Sequence, residues 1–199
     1  MTAPIRELPL RYGAVAMTFH WLIAAAIIAN LYIGLTMVDL PRGDPAKLEL
    51  FGLHKSIGFA VLVLSAGRVL WRLVNPAPRP PLGLASWLRI AGRALQHLFY
   101  ILIVAIPLAG WLMVSVAAAG HPTPVFGLFG WPAFPWLADL PRAAGHPYHE
   151  IFETIHVWLA WSMLGLIPLH IGAALYHHLV RGDNVLLRML PGARLRGGV

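Results

Sequence analysis

Apolar residues along this chain gather into four long stretches, with the charged residues collected between them. The stretches run approximately over Ala14–Val38, Leu53–Val74, Leu95–Ala119 and Ile155–Val180. A helix rising 1.5 Å per residue needs roughly 20 apolar residues to cross about 30 Å of hydrocarbon, and each stretch meets that length. The pattern predicts an all-α, integral membrane four-helix bundle forming a single domain over residues 1–199. Arginines precede the first stretch as they would a secretory signal, but about 25 residues exceed the apolar core of a signal peptide. His20 also sits inside it, so the first stretch reads as a retained helix.

The connections differ in character. Asp39–Phe51 is short and punctuated by Pro41, Gly43, Asp44 and Pro45. Asn75–Pro81 holds four prolines and cannot be helical, so it ends the second span sharply. Trp87–Arg93 combines an aromatic anchor with arginines, as an interfacial lead-in does. Gly120–Glu153 is the longest connection, and its prolines, glycines and aromatics (Phe126, Phe129, Trp131, Phe134, Trp136) predict an ordered cap lying on the membrane.

Composition agrees with the pattern, since 58% of residues are hydrophobic, 12% are charged and the mean hydropathy is +0.69. There is no cysteine, which excludes disulfides, iron–sulfur clusters and thiolate-ligated zinc or haem. The net charge of +7 matters through its distribution. Arg6, Arg11, Arg68, Arg72, Arg79, Arg89, Arg93, Arg181, Arg188, Arg194 and Arg196 fall on one side of the membrane. The other side has only Arg42, Lys47, Lys55 and Arg142, against Asp39, Asp44, Glu49, Asp139, Glu150 and Glu153. The positive-inside rule then puts both termini in the cytoplasm. No nucleic-acid partner is expected, because these arginines flank spans instead of lining a soluble face with interleaved aromatics.

Within this frame the histidines carry the chemistry. His156 and His170 lie fourteen residues apart on one apolar helix. Fourteen residues advance about 21 Å and fall about 40° short of four full turns, so both imidazoles share a face at two depths. A polar ring in lipid is costly unless it is used, and neutral imidazole is a common metal ligand. Counting from the outer surface places His20 in the inner half and His54 in the first turn of the second span. The depth-matched pairs are His20 with His170 and His54 with His156. Small residues (Ala24, Ala25, Ala26, Ala29, Gly58, Ser162, Gly165) leave room for a porphyrin plane between facing helices. His177 shares the face of His170 but lies about 10 Å deeper, at the boundary beside Arg181. Glu153 and His156 form half of a di-iron carboxylate motif, but the other spans supply no further acid.

Several segments together resemble the prokaryotic cytochrome b561 family over nearly the whole chain. They are His20-Trp21-Leu22, then Leu53-His54-Lys55-Ser56-Ile57-Gly58, and Leu169-His170-Ile171-Gly172-Ala173-Ala174-Leu175-Tyr176-His177-His178. The tail Asp183–Pro191 is also similar. The resemblance implies four transmembrane helices enclosing two haem b groups, with His20 and His170 ligating the inner iron and His54 and His156 the outer. It further implies electron transfer in a bacterial inner membrane from a periplasmic donor, with superoxide the candidate, to ubiquinone, as in a superoxide:ubiquinone oxidoreductase.

Around those ligands, Lys55, Arg68 and Arg72 are candidate partners of haem propionates. His97 and His177 are candidates for a cytoplasmic quinone site, where reduction consumes two protons. A second reading uses the same haems as the membrane anchor and electron-transfer subunit of a multi-subunit hydrogenase or dehydrogenase, with a soluble redox partner. A transporter reading is disfavoured because no expected span carries an acid for coupling.

Overall fold

The computed structural model describes residues 10–78, 84–117 and 121–197. Four long helices dominate it: α1 (Ala14–Asp39), α2 (Pro45–Val74), α3 (Ser86–Ala117) and, after the cap, α5 (Arg142–Leu179). Each contains a segment long and apolar enough to cross a membrane. Arg6 and Arg79, used above for topology, lie outside the described residues, as do Ala119 and Gly120 at the expected boundary between third span and cap.

Three helices begin earlier than the apolar stretches. The side chain of Asp44 accepts a hydrogen bond of 2.9 Å from the Ala46 N–H, and Pro45 takes the first helical position. A proline expected to mark a turn therefore starts α2, because its missing N–H would have no helical partner there anyway. The expected interfacial lead-in Trp87–Arg93 is the first part of α3. The outer end of α5 adds thirteen residues to the apolar stretch and includes Pro147. There His146 faces Glu150 at 3.7 Å and His149 faces Glu153 at 3.8 Å, each one helical turn apart on an exposed surface. Glu49, Glu150 and Glu153 accordingly lie in the outer turns of helices and not in loops.

Packing follows α1 on α2, α2 on α3 and α3 on α5. The buried core is Ile23, Leu102, Ile103 and Met163, flanked by Phe19, Ile27, Leu64 and Leu166 among others. Met163 is seven residues from both His156 and His170, so this layer lies midway between the two histidine levels. Many large apolar side chains point outwards instead, including Leu22, Ile28, Tyr32, Val63, Leu70, Ile101, Trp158 and Leu169. Such a surface suits hydrocarbon and would aggregate in water.

The cap begins with an antiparallel hairpin, β1 (Thr123–Val125) and β2 (Phe129–Trp131), pairing Thr123 with Trp131 and Val125 with Phe129. Phe126 (φ 50°) and Gly127 (φ 68°) both take positive φ, and the Leu128 N–H donates to the Val125 carbonyl. These are the features of a type I′ turn, whose twist matches the strands. Two helix serines fasten the cap: Ser56 Oγ accepts from the Phe126 N–H and Ser115 Oγ from the Phe134 N–H, each at 2.9 Å. Trp131 stacks on Phe59 at 4.7 Å, and Leu137 in the short α4 (Pro135–Ala138) is fully buried.

At the opposite end the chain leaves α5 through Gly182 (φ 67°) and folds back as a strap. The Trp21 indole donates to the Met189 carbonyl, the Tyr12 N–H to the Arg188 carbonyl, and Arg11 to the carbonyls of Leu190 and Ala193. Asn184 and Arg196 exchange side-chain and backbone bonds that close the strap on itself.

Candidate functional site

The bundle brings four histidines together as two pairs. His54 on α2 faces His156 on α5 with ring centroids 6.0 Å apart, and His20 on α1 faces His170 on α5 at 6.3 Å. An imidazole nitrogen binds a metal at about 2.0 Å and lies about 1.1 Å from its ring centre, so two rings on opposite sides of one ion stand about 6.2 Å apart. Both pairs meet that separation with their planes near perpendicular, at 78° and 71°.

The outer pair is held by a device that occurs twice. His54 Nδ1 lies 3.2 Å from the Asn30 carbonyl on α1, and His156 Nδ1 lies 2.9 Å from the Ile106 carbonyl on α3. One helical turn beyond each carbonyl stands a glycine, Gly34 or Gly110. A Cβ on Gly34 would sit 3.2 Å from His54 Cε1, and one on Gly110 would sit 3.2 Å from both Cε1 and Nδ1 of His156. Each ring rests where a side chain would otherwise be. The carbonyl fixes the tautomer, since an Nδ1–H donating to it leaves Nε2 as the free lone pair.

The inner pair is surrounded differently. His20 meets Trp21 edge-on at 5.1 Å, and His170 meets Phe99 at 5.0 Å. The Arg68 guanidinium lies over the Tyr100 ring at 5.3 Å. Among the hydrogen bonds of the described residues, none engages a ring nitrogen of His20 or His170.

One cavity is lined by the outer pair, and a second lies toward the opposite end of the bundle. The outer one, about 420 Å³, is lined by His54, His156, Lys55, Gly34, Gly58 and Gly110 with a largely apolar wall. That lies within the range of about 300–1,000 Å³ found for cofactor pockets. Asn30 also lines it, and its Oδ1 is buried without a hydrogen-bond partner. A buried, unpaired oxygen facing a cavity is uncommon in a finished protein interior. The inner cavity, about 660 Å³, is lined by Arg11, Tyr12, Arg68, Trp71, Arg72, Asn75, Tyr100 and Met189.

These observations test whether haem fits. Among the described residues no three His, Asp or Glu side chains converge on a point, so the histidine pairs offer two ligands per metal. At the outer pair the ring separation, the glycine-lined wall and the apolar cavity suit a porphyrin, which would supply the remaining ligands; at the inner pair the ring separation carries the fit.

Lys55 lines the outer cavity together with His54 and His156, whereas Arg68 and Arg72 line an inner cavity that neither His20 nor His170 lines. His97 and His177 line neither cavity. His97 is exposed and bonds the Arg93 carbonyl of its own helix at 2.7 Å. His177 Nδ1 meets Asp183 Oδ2 at 2.6 Å, with Arg181 Nε 3.4 Å from the same oxygen and the Val185 N–H on Oδ1. Burial pushes the Asp183 carboxyl up, but the hydrogen bonds from His177 and Val185, the charge of His177 and the bond from Arg181 outweigh it. The group ends below its usual value of 3.8.

Sequence reasoning missed Gly34, Gly110, Asn30, Arg11, Tyr12, Tyr100 and Asp183. For the glycines a signal existed: each precedes an aromatic or apolar run in a helix interior, where glycine costs about 1 kcal/mol relative to alanine and needs a packing reason.

A membrane-spanning four-helix bundle with stacked pairs of facing histidines is the architecture of a membrane electron-transfer cytochrome. The chain belongs to the prokaryotic cytochrome b561 family, whose model matches residues 11–192. It is 38% identical over 182 residues to cytochrome b561 homolog 2 of Escherichia coli K12, covering 92% of each chain. It is 30% identical to cytochrome b562 of Cereibacter sphaeroides, over 90% of this chain and 94% of the relative. It is 28% identical to a probable superoxide oxidase CybB of Yersinia pestis, over 92% and 98% respectively. Membership implies haem b binding, electron transfer within a bacterial membrane and activity of the oxidoreductase type.

Proposed function

We propose that this protein is an inner-membrane oxidoreductase carrying electrons from superoxide at the periplasmic face to ubiquinone near the cytoplasmic face, through two haem b groups. The observation that supports it most is the stacking of two histidine pairs, each spaced for one iron, at opposite levels of the bundle. Bound there, haem b supplies one-electron redox chemistry. His54 with His156, and His20 with His170, would hold the two groups and set their position and orientation. Lys55 at the outer level presents a cation to a propionate or to the approaching anion. Arg68 and Arg72 hold the inner propionates.

In the overall reaction two superoxide anions each lose one electron and leave as dioxygen, while ubiquinone takes both electrons and two protons. The inner cavity offers the quinone carbonyls donors from Tyr12, Tyr100 and Arg11. The hydrogen-bonded His177–Asp183 pair and the exposed His97 are titratable groups at that end of the bundle that supply the protons. Arginine placement keeps both termini cytoplasmic. The relative named a probable superoxide oxidase supports this choice of donor.

Anaerobic stopped-flow mixing of the purified protein with superoxide checks the reading. Rapid appearance of a reduced b-type spectrum, discharged by added ubiquinone, is expected. Failure of superoxide to reduce the protein above controls would favour the second reading, an electron-transfer subunit for a soluble partner. The exposed hairpin tip, Phe126, Leu128 and Phe129, favours that alternative as an apolar docking point.

A further inference from the structure

Gly34 and Gly110 stand in equivalent places on different helices, each one turn beyond the carbonyl that meets the Nδ1 of an outer histidine. Repetition of one local arrangement on α1 and α3 is hard to attribute to close packing alone. Helix contact would be equally served by alanine wherever the space behind is open, as it is at Gly52, Gly92 and Gly165. At Gly34 and Gly110 the space is filled by the imidazole itself.

The chemical consequence concerns the iron-facing nitrogen. An Nδ1–H that donates to a carbonyl makes the imidazole a stronger electron donor through Nε2, which stabilises the ferric over the ferrous state. Both outer ligands have this bond. The inner ligands have aromatic neighbours and, among the described residues, no such carbonyl bond. Lys55 lines the outer cavity and Arg68 lies over Tyr100 at the other end, so a cation stands toward each level and the carbonyl bonds carry the difference.

We propose that Gly34 and Gly110 are positioning residues that seat His54 and His156 against the Asn30 and Ile106 carbonyls, making the outer haem the harder of the two to reduce. Electron flow from the outer to the inner level is then downhill, and its direction is built into the bundle by the absence of two methyl groups. The inference rests on haem ligation by the two histidine pairs, as proposed above.

The test is a spectroscopic redox titration of the full-length, haem-loaded protein in detergent, comparing the unaltered chain with Gly34→Ala, Gly110→Ala and, as a control with open space, Gly92→Ala. Two one-electron components are expected in the unaltered protein. Each of the first two variants should raise the lower-potential component, or lose it, with the higher one in place; the control should match the unaltered protein. Movement or loss of the higher component, or no change in either, overturns the proposal. Should both variants lose all haem, nitrogen-15 spectra of labelled histidines in the reduced, diamagnetic unaltered protein decide. Nδ1 signals of His54 and His156 shifted downfield of those of His20 and His170 support the proposal, and four equivalent signals overturn it. A chain that binds no haem at all overturns the proposed function instead.

Discussion

The outer and inner histidine pairs have nearly the same ring separation, 6.0 and 6.3 Å, but the bundle holds them by different means. The outer rings are locked by backbone: two carbonyls, two glycines and a cap fastened through Ser56 and Ser115. The inner rings are bounded by the side chains of Trp21 and Phe99, and by a C-terminal strap that reaches Trp21 through Met189. Backbone restraint gives fixed orientation at little entropic cost, since the helix is already ordered. Side-chain restraint leaves room for the charges and titratable groups that the proposed quinone site would require. Similar ring spacings are thus compatible with different tasks.

The largest effect that would break this comparison is loss of one centre. His156→Ala or His54→Ala should remove the same haem, about half of the b-type absorbance, while His20→Ala or His170→Ala removes the other. Pyridine haemochrome quantification with low-temperature spectra checks this, and different haems lost from the two outer variants would dissolve the pairing. Next in size is the layer between the levels. Met163→Ala empties a side chain that is 1% exposed, and by comparison with other buried deletions it should cost about 2–5 kcal/mol. Because it lines the outer cavity but belongs to neither pair, thermal unfolding should fall with the inner spectrum retained and any spectral shift confined to the outer centre.

Asp183→Ala comes third, leaving the strap without the carboxylate that bonds His177, Arg181 and Val185 and costing about 1–3 kcal/mol. Limited proteolysis near the C-terminus should accelerate, with inner spectra affected before outer ones. The pH dependence has a defined sign. The folded carboxyl titrates below its usual 3.8, so its stabilisation is fully present above that value and is lost as the pH falls through the lower folded one. Proteolytic protection of the strap should therefore be flat from neutral pH to about 4 and decline below it, and the variant should lose this dependence. The smallest effect belongs to Ser56→Ala, which removes one cap hydrogen bond, about 0.5–1.5 kcal/mol net. Faster hydrogen exchange at Phe126 with an unchanged inner spectrum is the expected outcome.

Residue order alone determined that there are four spans, which histidines can share a depth, and that sulfur ligands are absent. These properties follow from helical periodicity, the thickness of hydrocarbon and composition, none of which needs a neighbour in space. Helix ends were less legible, because α2, α3 and α5 extend past the hydrocarbon with polar residues that look like loop, and Pro45 begins a helix instead of marking a turn. Tertiary structure alone decided that His54 and His156 reach carbonyls on α1 and α3, that Gly34 and Gly110 give them room, and that Asp183 closes on His177. Each is a contact between groups whose distance depends on how the helices are rotated and packed. That rotation is set by the buried layer of Ile23, Leu102, Ile103 and Met163, which an apolar stretch does not reveal when nearly every position in it is apolar.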